Sequence, residues 1–473
     1  MIAVPSHMMH RIHRIHFIGI GGAGMSGIAE VFHNLGYVIS GSDLVESAMV
    51  RHLRTLGIRI DIGHHASQVA DVHVVVISTA IDGNNPEVLA AQAQRIPVVR
   101  RAEMLAELMR FRRGIAVAGT HGKTTTTSLV TSLLAQGGID PTYIIGGQLN
   151  SASSHAGLGA SEYLVAEADE SDASFLYLQP MMSIITNIAR DHLCSYEGDF
   201  ERLKQAFVEF LQHLPFYGLA VLCIDDPVVR EIMGQVARPV LAYGESAAAD
   251  IRITSIQAKG HKTSFVVMLP KYDKPLPIEL NLTGKHNVLN ATAAIAIAWE
   301  LGITPVAIQT ALAGFSGIDR RFQITKQVPV TQGHIMHIDD YGHHPNEIKA
   351  TLQGIRDAWP ACRLTVVFQP HRYTRTRDLF EDFVQILSDV DQLILLEVYP
   401  ASEKPIKNAD GRALARSIRG RGEIDPVFVE DIESLTDIVE NLLQDGDILL
   451  TLGAGNIGLW AAEFLHHRME SQS

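Results

Sequence analysis

The chain has 473 residues, more than one hydrophobic core usually serves, so we expect two to four domains. Apolar residues make up 47% and charged residues 19%, as in ordinary globular enzymes, and the net charge of -13 argues against a general nucleic-acid binder, which needs a basic face. Cys194, Cys223 and Cys362 are far apart and form no CxxC pair, so we expect neither a disulfide framework nor a cysteine zinc site.

The first segment, MIAVPSHMMHRIHRIHFIGIGG, has no apolar run followed by a small-residue cleavage site, so it does not resemble a secretory signal. No later stretch reaches the roughly 18 uninterrupted apolar residues that a membrane-crossing helix needs. We therefore expect a cytoplasmic protein without membrane insertion.

The first 110 residues alternate between β-branched runs and helical segments. IHFIGI, YVISGSD and VHVVVISTAI are typical of buried strands, and a helix is predicted between the first two. Such alternation predicts a parallel sheet with helices on its faces. We assign residues 1–110 to a Rossmann-like domain.

A glycine-rich loop follows the first predicted strand. Gly19, Gly21 and Gly24 match G-x-G-x-x-G, Gly22 lies inside the pattern, and Asp43 ends the next strand. Glycines here let backbone N–H groups approach a pyrophosphate, and the acidic residue binds a ribose hydroxyl. The pattern does not distinguish NAD from another nucleotide diphosphate, and a tight turn without a ligand is the alternative.

The strand–helix pattern restarts near residue 111 with a second glycine loop. The Walker A pattern requires glycine where the chain has Val117, but Gly119 and Gly122 form a tighter loop before Lys123 and Thr124. Backbone N–H groups at the helix start face phosphates, Lys123 can reach the β- and γ-phosphates, and the Thr124 hydroxyl can ligate Mg²⁺. Two such loops imply two phosphorylated ligands, and residues 111–322 form the second domain.

Acidic residues follow a later strand of this module. In VAEADESDASF, Glu167 and Asp169 share a face if the strand continues, whereas Glu170 falls on the other face. Magnesium beside phosphates is typically held by one or two carboxylates at a strand end together with the loop hydroxyl. His192, after the next strand, is a candidate ligand of a second metal ion, although a lone histidine is more often structural.

The pattern restarts a third time in HIMHIDDYGHHPNEIKATLQGIRDAW, which predicts a strand, a loop and a helix. RLTVVFQPH and QLILLEVYP predict further strands, and DILLTLGAGNIGLW predicts a strand, a glycine turn and a helix. We assign residues 323–473 to a second Rossmann-like domain. The predicted fold is therefore α/β, with a P-loop-type domain between two Rossmann-like domains.

Taken together, the motifs resemble those of the ATP-dependent Mur ligases. They run in order from residue 16 to about residue 377, as HFIGIGGAGMSGIAE, GSD, GTHGKTTT, EADESD, GKHNVLNATAA, DRRFQ, DDYGHHP and PHRYTRT. The last stretch favours the branch that adds L-alanine to UDP-N-acetylmuramate over the branch that recycles a tripeptide. The resemblance implies ATP and two magnesium ions, no nucleic-acid partner, and a monomer or weak dimer.

The resemblance also implies a role for residues in each domain. The first glycine loop and Asp43 hold the UDP part of the substrate rather than NAD, Lys123 contacts the ATP phosphates, Thr124 and Glu167 hold one magnesium ion, and His192 holds a second. The further residues implied to bind ATP are Gly119, Thr120, His121, Gly122 and Thr125, together with His286 and Asn290 at the adenine and Asp340 near the ribose. The third domain supplies groups to the UDP substrate, the amino acid and the reacting centre, namely Arg321 at a hinge near Gly317–Arg321, Tyr341, His343, Arg372 and Arg375.

The implied reaction begins when the lactyl carboxylate attacks the γ-phosphorus of ATP, with Lys123 and magnesium shielding the charges. The amine of L-alanine then attacks the acyl phosphate, and phosphate leaves. His343 is a hypothesis for the general base, and Arg372 and Arg375 are candidates for clamping an anion. The third domain is expected to close and exclude water that would hydrolyse the anhydride.

Three alternatives remain open from the sequence. A nicotinamide-dependent oxidoreductase would explain the first glycine loop but would leave Lys123, Thr124 and Glu167 unused. A regulatory protein that binds nucleotides without turnover and the tripeptide-recycling ligase are the other two. Lys204 lies where sister ligases carry a carbamylated lysine, but this branch is not expected to use that modification.

Overall fold

A computed structural model describes residues 9–470 of the chain, apart from 79, 150–153, 192 and 402. Within these residues the elements form three sheets flanked by helices, which confirms the predicted α/β class. The chain divides into two compact units. The first unit runs to residue 257 and adds residues 264–281 and 287–316, and the second comprises residues 258–263, 282–286 and those from 317 onward. The boundaries predicted near residues 110 and 322 stay predictions.

The first sheet belongs to the first unit, and its described strands are all parallel, in the order β3-β2-β1-β4-β5. The strand order reverses at β1, so the crevice outside its carboxyl end is the expected ligand position in such a sheet. The strands are β1 (Arg14–Ile18), β2 (Val38–Asp43), β3 (Arg59–Ile62), β4 (Val74–Ile77) and β5 (Val98–Arg100). The helices are α1 (Ala23–Asn34), α2 (Ala48–Thr55), α3 (Pro86–Ala93) and α4 (Arg101–Arg110).

The second sheet has the order β15-β14-β13-β12-β11-β10-β6-β9-β7-β8 in the described chain. Its centre is parallel, and β6 lies between β10 and β9. The strands are β6 (Arg113–Ala118), β7 (Thr142–Leu149), β8 (Ser154–Gly157), β9 (Tyr163–Glu167), β10 (Met182–Ile185), β11 (Leu219–Cys223), β12 (Val240–Gly244), β13 (Ile251–Lys259), β14 (Lys262–Met268) and β15 (Leu276–Leu280). The helices are α5 (Lys123–Gln136), α6 (Phe200–Gln212), α7 (Pro227–Met233), α8 (Lys285–Glu300) and α9 (Pro305–Ala313).

The third sheet belongs to the second unit and has the order β16-β17-β21-β18-β19-β20. β16 is antiparallel to β17, and the other described pairings are parallel. The strands are β16 (Gln323–Val330), β17 (Gly333–Asp340), β18 (Leu364–Phe368), β19 (Gln392–Leu396), β20 (Val427–Val429) and β21 (Ile448–Leu452). The helices are α10 (Pro345–Ala358), α11 (Tyr373–Asp378), α12 (Phe380–Leu387), α13 (Gly411–Arg421), α14 (Leu435–Leu442) and α15 (Ile457–Glu470).

Both faces of the third sheet are buried, which explains why its strands read as continuous apolar runs. Ile338 and Leu450 pack with residues of α10 and α12 on one face. Ile335 and Leu449 pack with residues of α14 and α15 on the other. In the part of the chain that the structure describes, we find no helix with both the length and the apolar character needed to cross a membrane.

Candidate active site

The first glycine loop joins β1 to α1, as predicted, and residues at the end of β2 hold its backbone. The N–H of Gly21 donates to Asp43 Oδ2 over 2.8 Å, and the Ser42 carbonyl accepts the N–H groups of Gly19 and Ile20 at 2.8 and 3.1 Å. A Cβ atom at position 21 would lie 2.9 Å from the Asp43 carboxylate, so the loop can come this close only with glycine. Asp43 therefore organises the loop, and its contact with a ribose stays a prediction.

Arg101, which the sequence analysis did not single out, passes close to the first glycine loop. A Cβ atom at Gly24 would lie 2.9 Å from Arg101 Nη1, and Gly22 caps α1 without a side-chain hydrogen bond. The guanidinium group also lies 3.6 Å from the Asp169 carboxylate, which follows β9. Arg101 thus places a positive charge between the first glycine loop and the acidic segment of the central sheet.

The second glycine loop joins β6 to α5 and is held by the segment that follows β10. The N–H of Thr120 donates to the Asn187 carbonyl over 3.0 Å, and the N–H of His121 donates to Asn187 Oδ1 over 2.9 Å. Asn187 Nδ2 and the Thr186 hydroxyl both donate to the His121 carbonyl. Because β10 lies beside β6 in the sheet, Asn187 reaches the loop from 66 residues away in the chain. Asn187 was not predicted as a site residue from the sequence.

Both glycines of the second loop are required by backbone conformation and by close neighbours. Gly119 and Gly122 have φ angles of 128° and 82°, which side-chain-bearing residues rarely adopt. A Cβ atom on Gly119 would clash with the Thr186 hydroxyl, and one on Gly122 would lie 2.6 Å from Asn290 Oδ1. Asn290, predicted at the adenine, is therefore a direct neighbour of the loop.

In the helix that begins with Lys123, two buried hydroxyl groups form hydrogen bonds to the preceding turn, whereas the Thr126 hydroxyl has no partner in the described part of the chain. The hydroxyl groups of Thr127 and Ser128 each donate over 2.8 Å, to the carbonyls of Lys123 and Thr124 respectively. Such bonds satisfy hydroxyl groups that are otherwise costly to bury. Thr125, predicted to bind ATP, is buried in the first turn of the same helix. Helix α5 can therefore begin at the loop while its threonines face the protein interior.

The Lys123 ammonium group lies over the loop and forms an ion pair with Glu170. Lys123 Nζ donates to the carbonyls of Gly119 and Thr120 at 2.7 and 3.2 Å, and to the two carboxylate oxygens of Glu170 at 3.0 and 2.8 Å. The Glu170 side chain is 1% exposed. A continuing strand was predicted to turn Glu170 to the face opposite Glu167 and Asp169. However, β9 ends at Glu167, so strand alternation does not reach position 170.

Burial and nearby charges shift the pKa values around Lys123. Burial raises the pKa of Glu170 to about 7, against the opposing charge of Lys123. Burial lowers the pKa of Lys123, but the charges of Glu170, Asp169 and Glu167 outweigh it, so the pKa is raised overall. Burial alone would raise the pKa of Asp169. The Lys123 charge and a hydrogen bond from Ser171 outweigh burial, so the pKa of Asp169 is lowered overall. Lys123 is therefore a cation at neutral pH.

The oxygen groups next to the loop suit a magnesium ion. Thr124 lies in the first turn of α5, and Glu167 ends β9 directly opposite Val117 of β6. Glu167 Oε1 accepts the N–H of Gly146 over 2.8 Å. The described residues contain no cluster of three or more histidine, cysteine or carboxylate ligands, so magnesium here would share its coordination with phosphate oxygens and water, as it usually does beside nucleotides. His192, the predicted ligand of a second ion, lies outside the described residues.

In the second unit, four rings meet at the carboxyl ends of β17, β18 and β19. His343 lies 5.5 Å from Tyr341 and 5.7 Å from His371, measured between ring centroids. His371 stacks on Tyr399, with 5.6 Å between centroids and 7° between planes. The structure therefore brings the predicted residues Tyr341 and His343 together and adds His371 and Tyr399, which were not predicted.

Asp340, predicted near the ATP ribose, binds backbone groups of its own unit. Its two carboxylate oxygens accept the N–H groups of Phe322 at 2.9 Å and Gly342 at 2.8 Å. Burial raises its pKa to about 6. Arg321 lies with its guanidinium carbon 5.1 Å from the centroid of the Tyr341 ring. Asp340 thus fixes the backbone directly after the predicted hinge segment to the end of β17, and its contact with ATP stays a prediction.

The His343 ring is neutral, with one defined tautomer. Its Nδ1 lies 3.1 Å from the Tyr341 carbonyl, which can only accept a hydrogen bond, so Nδ1 carries the proton and Nε2 is an acceptor. Burial lowers the pKa of His343 to about 4, although the nearby Glu347 charge opposes this. The unprotonated form needed for a general base is therefore present at neutral pH, but it is a weak base. Burial likewise lowers the pKa of His286, which belongs to this unit, to about 4.

Of the two predicted arginines, Arg375 is the better candidate for binding an anion. Its Nη1 lies 3.4 Å from the His371 carbonyl, and its buried Nε has no hydrogen-bond partner in the described part of the chain. Arg372 is half-exposed, lies 3.9 Å from Glu403, and has a φ angle of 71°, a strained conformation for a residue with a side chain. A buried guanidinium nitrogen with an unmet donor favours a negatively charged partner.

Family models match most of the chain in three consecutive segments. The descriptions are the Mur ligase family catalytic domain at residues 14–113, the Mur ligase middle domain at residues 117–298, and the Mur ligase glutamate ligase domain at residues 320–455. These segments contain the first glycine loop, the second glycine loop and the ring cluster, respectively.

Individual relatives agree with these matches. The chain is 60% identical over 446 residues to the UDP-N-acetylmuramate–L-alanine ligase of Methylococcus capsulatus, covering 94% of both chains. It is 58% identical to the enzyme of the same name from Halorhodospira halophila, covering 91% of this chain and 88% of that one. The crystal structure of a UDP-N-acetylmuramate–alanine ligase from Thermotoga maritima matches with a TM-score of 0.82 and 29% identity, over 97% of this chain and 100% of that one. The chain belongs to the Mur ligase family.

Proposed function

We propose that this Mur ligase joins L-alanine to the lactyl carboxylate of UDP-N-acetylmuramate and converts ATP to ADP and phosphate, a step in peptidoglycan precursor synthesis. The observation that carries the proposal is the Lys123 ammonium group, held over a glycine loop at the start of a helix and paired with a buried carboxylate. The 60% identity to an alanine-adding ligase over nearly the whole chain supports the choice of substrates.

The reaction needs activation of the carboxylate, because its negative charge resists attack by an amine. In the first step a lactyl carboxylate oxygen attacks the γ-phosphorus of ATP, the bond to the β-phosphate oxygen breaks, and ADP leaves. In the second step the neutral amine of L-alanine attacks the acyl carbon, and the tetrahedral intermediate expels inorganic phosphate. The amine loses one proton to a base or to solvent, so atoms and charges balance.

The first unit supplies groups that suit phosphoryl transfer. Backbone N–H groups at the start of α5 face an anion, and Lys123 neutralises charge on the transferring group. Thr124 and Glu167 would hold magnesium, which neutralises phosphate charge when bound. We include two ions in the proposal, with His192 as the candidate ligand of the second.

The second unit supplies groups that suit the amino acid. The buried Nε of Arg375 has no hydrogen-bond partner within the residues that the structure describes, which fits the carboxylate of L-alanine. His343 Nε2 is an acceptor that can take a proton from the amine as the amide bond forms, which keeps it a candidate for the base. A cytoplasmic location, where ATP and reduced cysteines are found, fits this activity.

The nicotinamide-dependent reading is disfavoured by the same geometry. It gives no role to the Lys123–Glu170 pair or to the second glycine loop, which several backbone hydrogen bonds hold in place.

The direct experiment measures phosphate release with ATP and Mg²⁺ while UDP-N-acetylmuramate and L-alanine are added separately and together. We expect sustained release only when both are present, and no change in NADH fluorescence on mixing with the protein. Release that ignores the sugar nucleotide, or tight NADH binding without release, would overturn the proposal.

A further inference from the structure

The first domain contains a buried polar network that the proposed reaction does not use. Its centre is Glu87, which lies in the first turn of α3 and is fully buried. The carboxylate accepts His16 Nε2 at 2.6 Å, His64 Nδ1 at 2.7 Å, and the Ser42 hydroxyl at 2.8 and 3.0 Å from its two oxygens. These donors compensate the buried negative charge, which would be strongly unfavourable without such partners.

The network places a hydrogen on one ring nitrogen of each histidine. Burial raises the pKa of Glu87, but hydrogen bonds from His16, Ser42 and His64 outweigh it and the pKa is lowered, so the group is ionised at neutral pH and only accepts. Each ring nitrogen facing Glu87 therefore carries a hydrogen. His16 Nδ1 lies 2.8 Å from the Ser40 hydroxyl, which can donate to it. His64 is left with Nε2 on the side of the ring away from Glu87, and in the described chain this atom makes no hydrogen bond.

Ser42 connects this network to the first glycine loop. Its hydroxyl donates to Glu87, while its carbonyl accepts the N–H groups of Gly19 and Ile20. The next residue, Asp43, holds Gly21 with its carboxylate and accepts the N–H of Gly63 at its carbonyl, directly before His64. His64 therefore lies at the same carboxyl edge of the parallel sheet as the loop, where ligands bind in sheets of this kind.

We propose that Glu87 is a positioning residue for the sugar-nucleotide substrate: it holds the His64 ring with Nδ1–H turned inward and Nε2 turned outward. In the neutral ring, Nε2 then accepts a hydrogen bond from an N–H or O–H group on the nucleoside half of the substrate. This inference rests on the proposed function, because it takes UDP-N-acetylmuramate as the ligand.

The decisive variant is Glu87→Gln, which keeps the shape of the side chain but replaces one acceptor oxygen with a donor. One histidine must then change its tautomer or lose its bond. We expect the Kd for UDP-N-acetylmuramate, measured by calorimetry, to rise about tenfold, the effect of losing one good hydrogen bond. The Kd for ATP should stay within about twofold, and in turnover the effect should fall on the KM for the sugar nucleotide rather than on kcat.

A double-mutant cycle separates positioning from general stability. If Glu87 acts through His64, Glu87→Gln should raise Kd by less than about twofold in a His64→Ala background. Ser40→Ala is the matched control, since it removes the outer partner of His16 at the end of the network remote from His64, and it should lower Tm without changing Kd. If Glu87→Gln does not fold, Glu87→Asp keeps the charge and should give a smaller rise in Kd.

The outcomes are distinct. An unchanged Kd in Glu87→Gln, or an equal rise with and without His64, would overturn the inference and leave the proposed function intact. Failure of the unmodified protein to bind UDP-N-acetylmuramate would instead contradict the proposed function.

Discussion

The Lys123 side chain contacts both the loop carbonyls and a buried carboxylate, so its removal changes function and stability together. Glu170 is 1% exposed and loses its ion-pair partner when Lys123 is truncated. Breaking a buried pair on one side is costly because the remaining charge is desolvated without compensation. Here the cost is reduced, because burial already raises the pKa of Glu170 to about 7 and the carboxyl group can take up a proton.

We expect Lys123→Ala to abolish substrate-dependent phosphate release and to lower the free energy of unfolding by about 2 kcal/mol. The matched variant Lys123→Ala/Glu170→Gln removes the unpaired charge, so it should recover most of the stability while remaining inactive. Urea unfolding and a phosphate assay measure the two effects separately. Activity in the double variant would show that Lys123 is not needed for phosphoryl transfer.

The shifted pKa values of individual residues in the second unit also determine how the stability of the protein depends on pH. Burial is the main cause that lowers the pKa of four histidines, to about 4 for His286, His337 and His343 and to about 3 for His371. Between these values and the ordinary value of 6.5, the unfolded chain binds more protons than the folded one, so stability falls as the pH falls through that window. Asp340 acts in the opposite direction, because its pKa is raised to about 6 and its contribution is lost as the pH rises toward that value.

His337 isolates one of these contributions, because it lies outside the predicted site. Its Nε2 is 3.0 Å from the Thr451 hydroxyl. In His337→Asn, the slope of unfolding free energy against pH between about 4 and 6.5 should become smaller by as much as about 1.4 kcal/mol per pH unit, the value for one proton. Urea titrations at several pH values in this window give the slope. A slope equal to that of the unmodified protein would mean that His337 is not held neutral by burial.

At the scale of elements, two left-handed glycines flank helix α5: Gly122 lies directly before its first residue and Gly138 lies two residues after its last. Only Gly122 has a close neighbour. Gly122 and Gly138 share a φ angle of 82°, so alanine introduces similar strain at both positions. A Cβ atom at position 122 would lie 2.6 Å from Asn290, whereas one at position 138 would have no atom within 4 Å. Comparing alanine at the two positions therefore distinguishes the effect of backbone strain, which both variants share, from the effect of displacing the loop, which only the variant at position 122 has.

We expect Gly122→Ala to raise the KM for ATP at least about tenfold and to be less stable than Gly138→Ala by about 1–3 kcal/mol, because of the added clash. Gly138→Ala should cost only the strain of about 1 kcal/mol and leave the KM for ATP within about twofold. Initial rates at varied ATP and thermal unfolding provide both numbers. Equal KM values in the two variants would argue that the geometry of the loop does not matter for ATP.

Elements that alternate regularly could be predicted from the sequence, whereas contacts between distant elements could not. The strands before both glycine loops were predicted because their β-branched runs are buried on both faces. Glu170 was not predicted as a site residue, because no local sequence signal indicates that β9 ends at Glu167. Asn187 and Arg101 were missed because they reach the loops through strand order and helix packing, which local patterns do not encode.

For the whole molecule, the charges in the second unit favour a single amino acid over a tripeptide. Arg375 offers one guanidinium group whose buried Nε has no partner among the described residues, which matches the one carboxylate of L-alanine. The cell-wall tripeptide that ends in diaminopimelate carries three carboxylates, and unpaired charges in a buried site are unfavourable. We expect kcat/KM for the tripeptide to be at least about 100-fold lower than for L-alanine. Comparable values in competition assays would favour the tripeptide-recycling reading.

The central claim is that the loop around Lys123 holds ATP so that its terminal phosphoryl group passes to the sugar-borne carboxylate. The most direct test uses UDP-N-acetylmuramate with ¹⁸O in both lactyl carboxylate oxygens, together with unlabelled ATP and L-alanine. Transfer through an acyl phosphate predicts that each phosphate released carries one ¹⁸O atom, detected by mass spectrometry, while the other stays in the amide carbonyl. Phosphate released without ¹⁸O alongside the amide product would contradict the account.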